Sequence, residues 1–226
     1  MRTIEPYVML EEPIDGEALL KKIEKIGRVC YKSEEKITDD SAQSFVRNLL
    51  KRGHESVIEH AQATVRIVCD RGVSHEIVLH RIASYSQEST RYCNYAGGKF
   101  GVQLTFIRPV FWEKDDCRYQ LWENAMARAE ETYLHMIAEG ASPQEARSAL
   151  PNSLKTEIVA TINLREWRHF VKMRTDAAAH PQMRQITDMI LRELQNAIPV
   201  IFDEYAPHEQ PKSEYRVSSL DMFDRK

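Results

Sequence analysis

Apolar residues recur along the chain with two different periods, and the switches between them mark out its elements. After Asp15-Gly16-Glu17, residues Leu19, Leu20, Ile23 and Ile26 fall at helical spacing, which predicts a helix opened by an aspartate. A second helix is predicted from about Ser41, with Phe45, Val46, Leu49 and Leu50 inward and Gly53 as its stop. Ala61 to Asp70 alternates instead. Ala63, Val65, Ile67 and Cys69 share one face, and Gln62, Thr64 and Arg66 the other, which predicts a strand with a polar side that only Val68 interrupts.

Val73 to Arg81 reads as a helix, followed by a serine-rich segment, and Val102 to Ile107 as a strand ended by Pro109. Residues 112–139 predict a long helix, with Tyr119, Trp122, Met126, Ala129, Tyr133 and Met136 at spacings of three and four. Ser142-Pro143-Gln144-Glu145 has the form of a capping box with proline at the first helical position. Leu154, Thr156, Ile158, Ala160 and Ile162 then alternate with Lys155, Glu157, Val159 and Thr161, a second long strand. Helices follow at 164–174 and 181–205, with Pro199 a kink or stop in the last, and the final twenty residues are polar and peripheral. The class is α+β, an antiparallel or mixed sheet flanked by long helices. With no internal repeat and no linker rich in Gly, Ser or Pro, a single domain over residues 1–226 is expected.

Composition narrows the function classes. The 226 residues are 42% hydrophobic and 29% charged, as in ordinary globular proteins. A net charge of −3 argues against bulk nucleic-acid binding, which needs a basic face. Cys30, Cys69, Cys93 and Cys117 show no CxxC spacing, the N-terminus has no signal-peptide pattern, and no apolar run reaches the roughly 20 residues of a membrane span. Reduced thiols in a cytoplasmic protein are expected. Neither GxGxxG nor GxxxxGK[ST] occurs, so a bound nucleotide has to be held by side chains.

The arginines are unevenly spread. His80-Arg81 is followed by Ser84, Ser86, Gln87, Glu88, Ser89, Thr90 and Arg91, two guanidiniums bracketing a row of hydroxyl and amide groups. Arginine's planar fork suits phosphate and serine adds short hydrogen bonds. On composition alone the stretch is equally a solvated loop after a helix. Likewise Ser56-x-x-Glu59 reads as a helix cap, and 164–174 as an amphipathic helix with Leu164, Trp167, Phe170 and Val171 inward. Metal binding by His54, His60, His75 and His80 lacks HExxH or a comparable carboxylate-backed pattern, so no metal is expected.

The order of residues is more specific than their composition. His80, Arg81, Ser84, Ser89 and Arg91 fall in register with RHRxxSxxxxSxR, and the chain here resembles the flavin-dependent thymidylate synthases. Leu79 stands where that signature has its first arginine, which removes a cation expected near flavin and nucleotide. The resemblance runs from about Cys30 to Arg174. Gly53 to His60 looks like the family's HxSxxEH segment, Asn163-Leu164-Arg165 with His169 like its NxRxxx[HN] motif, and Met173-Arg174-Thr175-Asp176 like its late LR-[AT]-D segment.

The resemblance implies that dUMP is converted to dTMP, with methylenetetrahydrofolate as one-carbon donor, FAD as redox carrier and NADPH as reductant. It assigns His54, Ser56, Glu59, His80, Arg81 and Ser86 to FAD, together with Gln87, Asn163, Leu164, Arg165 and His169. It assigns Glu76, Gln87, Glu88, Ser89, Thr90, Arg91 and Arg147 to dUMP, with Arg174 stabilising the ionised uracil ring. Arg165 and Arg174 are nine residues apart, about half a turn out of phase at ~100° per residue, so one straight helix cannot aim both at a single ligand. The family resolves this with active sites between subunits of a homotetramer. The competing readings are a non-enzymatic phosphate-ligand or RNA-binding module using the arginines, whose binding weakens steeply with salt, and a metal-dependent phosphohydrolase built on the histidines.

Overall fold

The computed structural model describes residues 1–97 and 101–208. Its centre is an antiparallel sheet of four strands in the order β2-β3-β6-β4, namely Tyr7–Leu10, Gln62–Asp70, Lys155–Asn163 and Ala83–Gln87. The two long strands pair over their whole length, from Gln62 opposite Asn163 to Asp70 opposite Lys155. Both carry the expected period of two. On β6, Thr156, Ile158, Ala160 and Ile162 are buried and their neighbours are half-buried. On β3, Val68 is buried as well, so its apolar side chain belongs inside although it falls on the polar face.

Helices α1 (Gly16–Arg28), α2 (Ser41–Lys51), α6 (Leu164–Arg174) and α7 (Pro181–Ala197) contribute to the main core, where Leu20, Ile23, Val46, Trp167, Phe170 and Ile190 meet the inward face of the sheet. Their ends follow local chemistry. Asp15 Oδ1 accepts from the N–H of Ala18, and Asn163 Oδ1 from the N–H of Glu166, each satisfying a donor that the first helical turn leaves open. Gly53, at φ 71°, ends α2: its N–H reaches Leu50 O and that of His54 reaches Leu49 O, the Schellman pattern that a left-handed glycine permits.

A second, smaller core joins Leu104, Phe106, Met126, Tyr133 and Leu154. It sits between α4 (Cys117–Ala138) and a parallel pair formed by β1 (Arg2–Ile4) and β5 (Thr105–Ile107). The bridge between Phe106 and Leu154 ties this unit to the start of β6. The expected capping box is present on α5 (Pro143–Ala146). No helix among the described residues is long and apolar enough to cross a membrane.

Several expectations are corrected. The helix expected over Val73–Arg81 is α3, Arg71–Ile77, because the Tyr85 hydroxyl, within hydrogen-bond distance of both Ile77 O and His80 O, shares its one proton between them and turns the chain back on itself. The serine-rich segment is not a solvated loop: Ala83–Gln87 is β4, paired with β6, with Tyr85 and Gln87 half-buried and Ser84 and Ser86 outward. The strand expected from Val102 begins at Thr105, since Val102 has φ 58° and cannot extend a ladder. The helix expected from 112 begins at Cys117, where Asp116 caps it through the N–H of Arg118. The last helix stops at Ala197, two residues before Pro199. β1 and β2 were not expected at all. The expected polar, peripheral C-terminal segment lies, from position 209 on, outside the described residues.

Candidate active site

His80 is the hinge of the site. Tyr85 pins the connection between α3 and β4, and this carries the His80 ring into the protein, where it is 4% exposed and packs on Phe170 with ring centroids 4.5 Å apart. Nδ1 lies 3.1 Å from Glu166 Oε1, and Nε2 accepts from Arg174 Nε at 3.1 Å. An arginine Nε can only donate, so Nε2 is bare and the proton sits on Nδ1, donated to the carboxylate. His80 is therefore neutral. Its pKa is lowered, first by burial and also by the Arg174 charge, against a partial opposing pull from Glu166.

Arg174 ends α6 and is held from two sides. Besides the bond to His80, Nη1 donates to Glu76 Oε2 at 2.9 Å and Nη2 to Glu76 O at 3.1 Å. Three of the five guanidinium N–H groups of an arginine are thus engaged, and among the described residues the other two have no partner.

A cleft of about 780 Å³ opens beside His80, within the range of small-molecule sites. From α6 it is lined by Asn163, Arg165, Arg168, His169 and Lys172. Glu55 and Glu59 form the facing wall, on the 3-10 turn Glu55–His60, and Ile82, Glu166, Glu204 and Tyr205 complete it. Arg165 Nη1 bonds Glu59 at 2.5 Å. The buried Arg168 joins Glu55 at 3.0 Å to Glu204 at 2.7 Å. Lys172 has no hydrogen bond or ion pair among the described residues, so a free cation faces this space. Ile82 and the Tyr205 ring give apolar surface, and the two arginines are held by the glutamates that share the lining.

Of the residues assigned to FAD from the sequence, Glu59, Asn163, Arg165 and His169 line this cleft, and His80 stands behind it through Glu166. Leu164 is fully buried and offers only its backbone. His54 and Ser56 are exposed at the start of the 3-10 turn, and Arg81 and Ser86 are exposed around β4, outside the lining. Gln87 is turned inward, its amide donating to Ser74 and Thr156.

Among the residues assigned to dUMP, Glu76 and Arg174 are brought together. Arg91 Nε donates to Gln144 Oε1 at 3.3 Å, which draws the signature's end toward α5, and Arg147 follows α5 with an exposed side chain. Ser89 Oγ accepts from the N–H of Arg91, and Thr90 is buried. The Glu88 carboxylate is taken up by Tyr95 at 2.7 Å and Lys155 at 2.6 Å. Arg165 and Arg174 do face different neighbours, as their phase on one helix requires.

Sequence reasoning missed Glu166, Glu55, Arg168 and Lys172. Glu166 and Arg168 lie inside the motif that names Asn163, Arg165 and His169, but their partners come from remote segments that no local pattern connects. Donor atoms of His80, Glu166 and His169 lie within 4.8 Å of one another, a grouping able to hold a metal ion, although both nitrogens of His80 are already hydrogen-bonded.

His80 thus touches Arg174 on one side and, through Glu166, adjoins the cleft on the other. Comparison with known proteins identifies the family. Residues 17–200 match the family described as thymidylate synthase complementing protein. The chain is 37% identical over 163 residues to the flavin-dependent thymidylate synthase of Pyrococcus abyssi, covering 72% of this chain and 66% of that protein. It is 34% identical over 187 residues to that of Geobacter sulfurreducens, covering 80% and 79%, and 33% identical over 225 residues to that of Mycobacterium sp. (strain JLS), covering 90% and 85%. The chain belongs to the flavin-dependent thymidylate synthase family.

Proposed function

We propose that this chain, as a flavin-dependent thymidylate synthase, converts dUMP to dTMP with methylenetetrahydrofolate as one-carbon donor and NADPH as reductant, FAD occupying the cleft along α6. The observation that carries the reading is the placement of His80: one residue of the signature touches Arg174 directly and reaches the cleft through Glu166. When bound, FAD would supply the redox chemistry. Arg165, Asn163, His169 and Glu59, with Lys172 added by the cleft's geometry, would hold it.

The chain's own work is orientation and charge stabilisation. Carbon transfer to C5 of uracil needs that carbon to be electron-rich. A guanidinium with two free N–H groups beside the ring favours the ionised form of the base, the role assigned to Arg174. Arg91, Ser89 and Arg147 would bind the phosphate, and Glu76 would act through Arg174, whose guanidinium it holds. Cys69 is a poor nucleophile, since burial pushes its thiol pKa well up.

The reading extends to a cytoplasmic homotetramer with active sites between subunits. Exposed Leu79, Ile82 and Met173, all within three residues of His80 or Arg174, support an association surface there. A purified protein with flavin absorbance, and NADPH oxidation stimulated by dUMP, are expected. Protein that takes up no added FAD and forms no dTMP overturns the reading.

A further inference from the structure

We propose that Glu166 is a positioning residue for the nucleotide-binding arginine, acting by fixing the tautomer of His80. The inference rests on the reading of Arg174 as the residue that meets the uracil ring. Glu166, Phe170 and Arg174 follow at intervals of four and so share one face of α6. The His80 ring lies along this face, packed on Phe170 and bonded at one end to Glu166 and at the other to Arg174. A carboxylate on a helix's first turn thereby reaches the helix's last residue through a side chain from another element.

The dependence has a direction. Glu166 accepts and cannot donate, so it selects the Nδ1–H form, which leaves Nε2 as an acceptor. Its side chain is 12% exposed and its backbone N–H is capped by Asn163, so the carboxylate is held in place. Without an acceptor at position 166 only the Arg174 N–H still selects this form, and a ring that placed its proton on Nε2 would give up no bond at Nδ1. Two N–H groups, of His80 and Arg174, would then oppose each other, and the guanidinium would swing about its remaining bonds to Glu76. His169, with its ring centroid 5.7 Å from that of His80, is the other titratable group facing it.

The test uses the full-length chain. The His80 tautomer is read by NMR from the ring carbon shifts of isotope-labelled histidine, assigned by the signal lost in His80→Gln, and dUMP affinity is read by calorimetry. Expected are the Nδ1–H form in the wild type, a move toward Nε2–H in Glu166→Ala, and dUMP binding weakened about tenfold, as suits a hydrogen bond to a charged group. Glu166→Gln, whose amide oxygen can still accept from Nδ1, should stay within about threefold of the wild type. Should Glu166→Ala fail to fold, Glu166→Met keeps the side-chain volume, lacks a good acceptor, and carries the same expectation. An Nε2–H wild type, or a tautomer or dUMP affinity unchanged in the non-accepting variant, overturns the proposal. Arg174→Ala separates the two ideas: unaltered dUMP affinity there removes the role of Arg174, while the tautomer still reports whether Glu166 governs His80.

Discussion

Arg174 Nε donates to His80 Nε2 at 3.1 Å, so the last residue of α6 and the centre of the signature segment form one unit. Neither can be changed without unsettling the other, since His80 is buried and Arg174 is tied to it and to Glu76 at once. Arg174→Ala should therefore abolish most dUMP binding, with a loss of at least about tenfold from one charged hydrogen bond. Arg174→Lys, which has a point charge and no planar fork, should recover only part of it. Titration calorimetry with dUMP measures both, and wild-type affinity in the alanine variant contradicts the assignment.

The pH dependence of stability follows from the neutral state of His80. Its folded pKa lies below the ordinary 6.5, so as pH falls from about 6.5 the unfolded chain takes up a proton that the folded chain refuses. Stability contributed at this site is complete above 6.5 and is lost progressively as pH drops toward the folded value. Urea unfolding between pH 5 and 8 should show a steeper loss on the acid side for the wild type than for His80→Gln, which has no titrating ring. Parallel profiles would mean that His80 does not titrate differently on folding.

How much of this was legible beforehand depended on whether the signal was local. The period of two in β3 and β6, the Asp15 cap, the Gly53 stop and the capping box at Ser142 are local, and the structure carries each of them. β4 was hidden because its outward positions are serines and its inward ones a tyrosine, an alanine and a glutamine, a mixture with little hydrophobic contrast. At the site, motif order named Asn163, Arg165 and His169, which line the cleft, and Arg174, which meets Glu76. The pairing of His80 with Glu166, 86 positions apart, needed the tertiary fold.

Leu79 is the departure from the family signature with the clearest test. It is 66% exposed next to His80, so an arginine fits there without disturbing the core. Leu79→Arg should leave the fold of the subunit intact, its effect falling on the proposed subunit contact and on the ligands. The added cation should tighten FAD or dUMP binding. Flavin retention on dialysis and dUMP calorimetry read the two ligands separately, and unchanged affinity for both would show that the missing arginine is dispensable in this chain.

Asn163 separates structural from ligand roles most cleanly, because it is both the cap of α6 and part of the cleft lining. As a cap it holds the N–H of Glu166, and removing that oxygen in Asn163→Ala should cost about 1 kcal/mol of stability. Asn163→Ser keeps a capping oxygen and loses the amide, so its stability should stay close to that of the wild type. Any flavin contact made by the amide is lost in both variants. Weakened flavin retention in Asn163→Ser, with its melting midpoint unchanged, therefore assigns Asn163 a direct part in cofactor binding. Full retention in Asn163→Ser, with loss only in the alanine variant, makes it a cap that acts on the site through the orientation of α6.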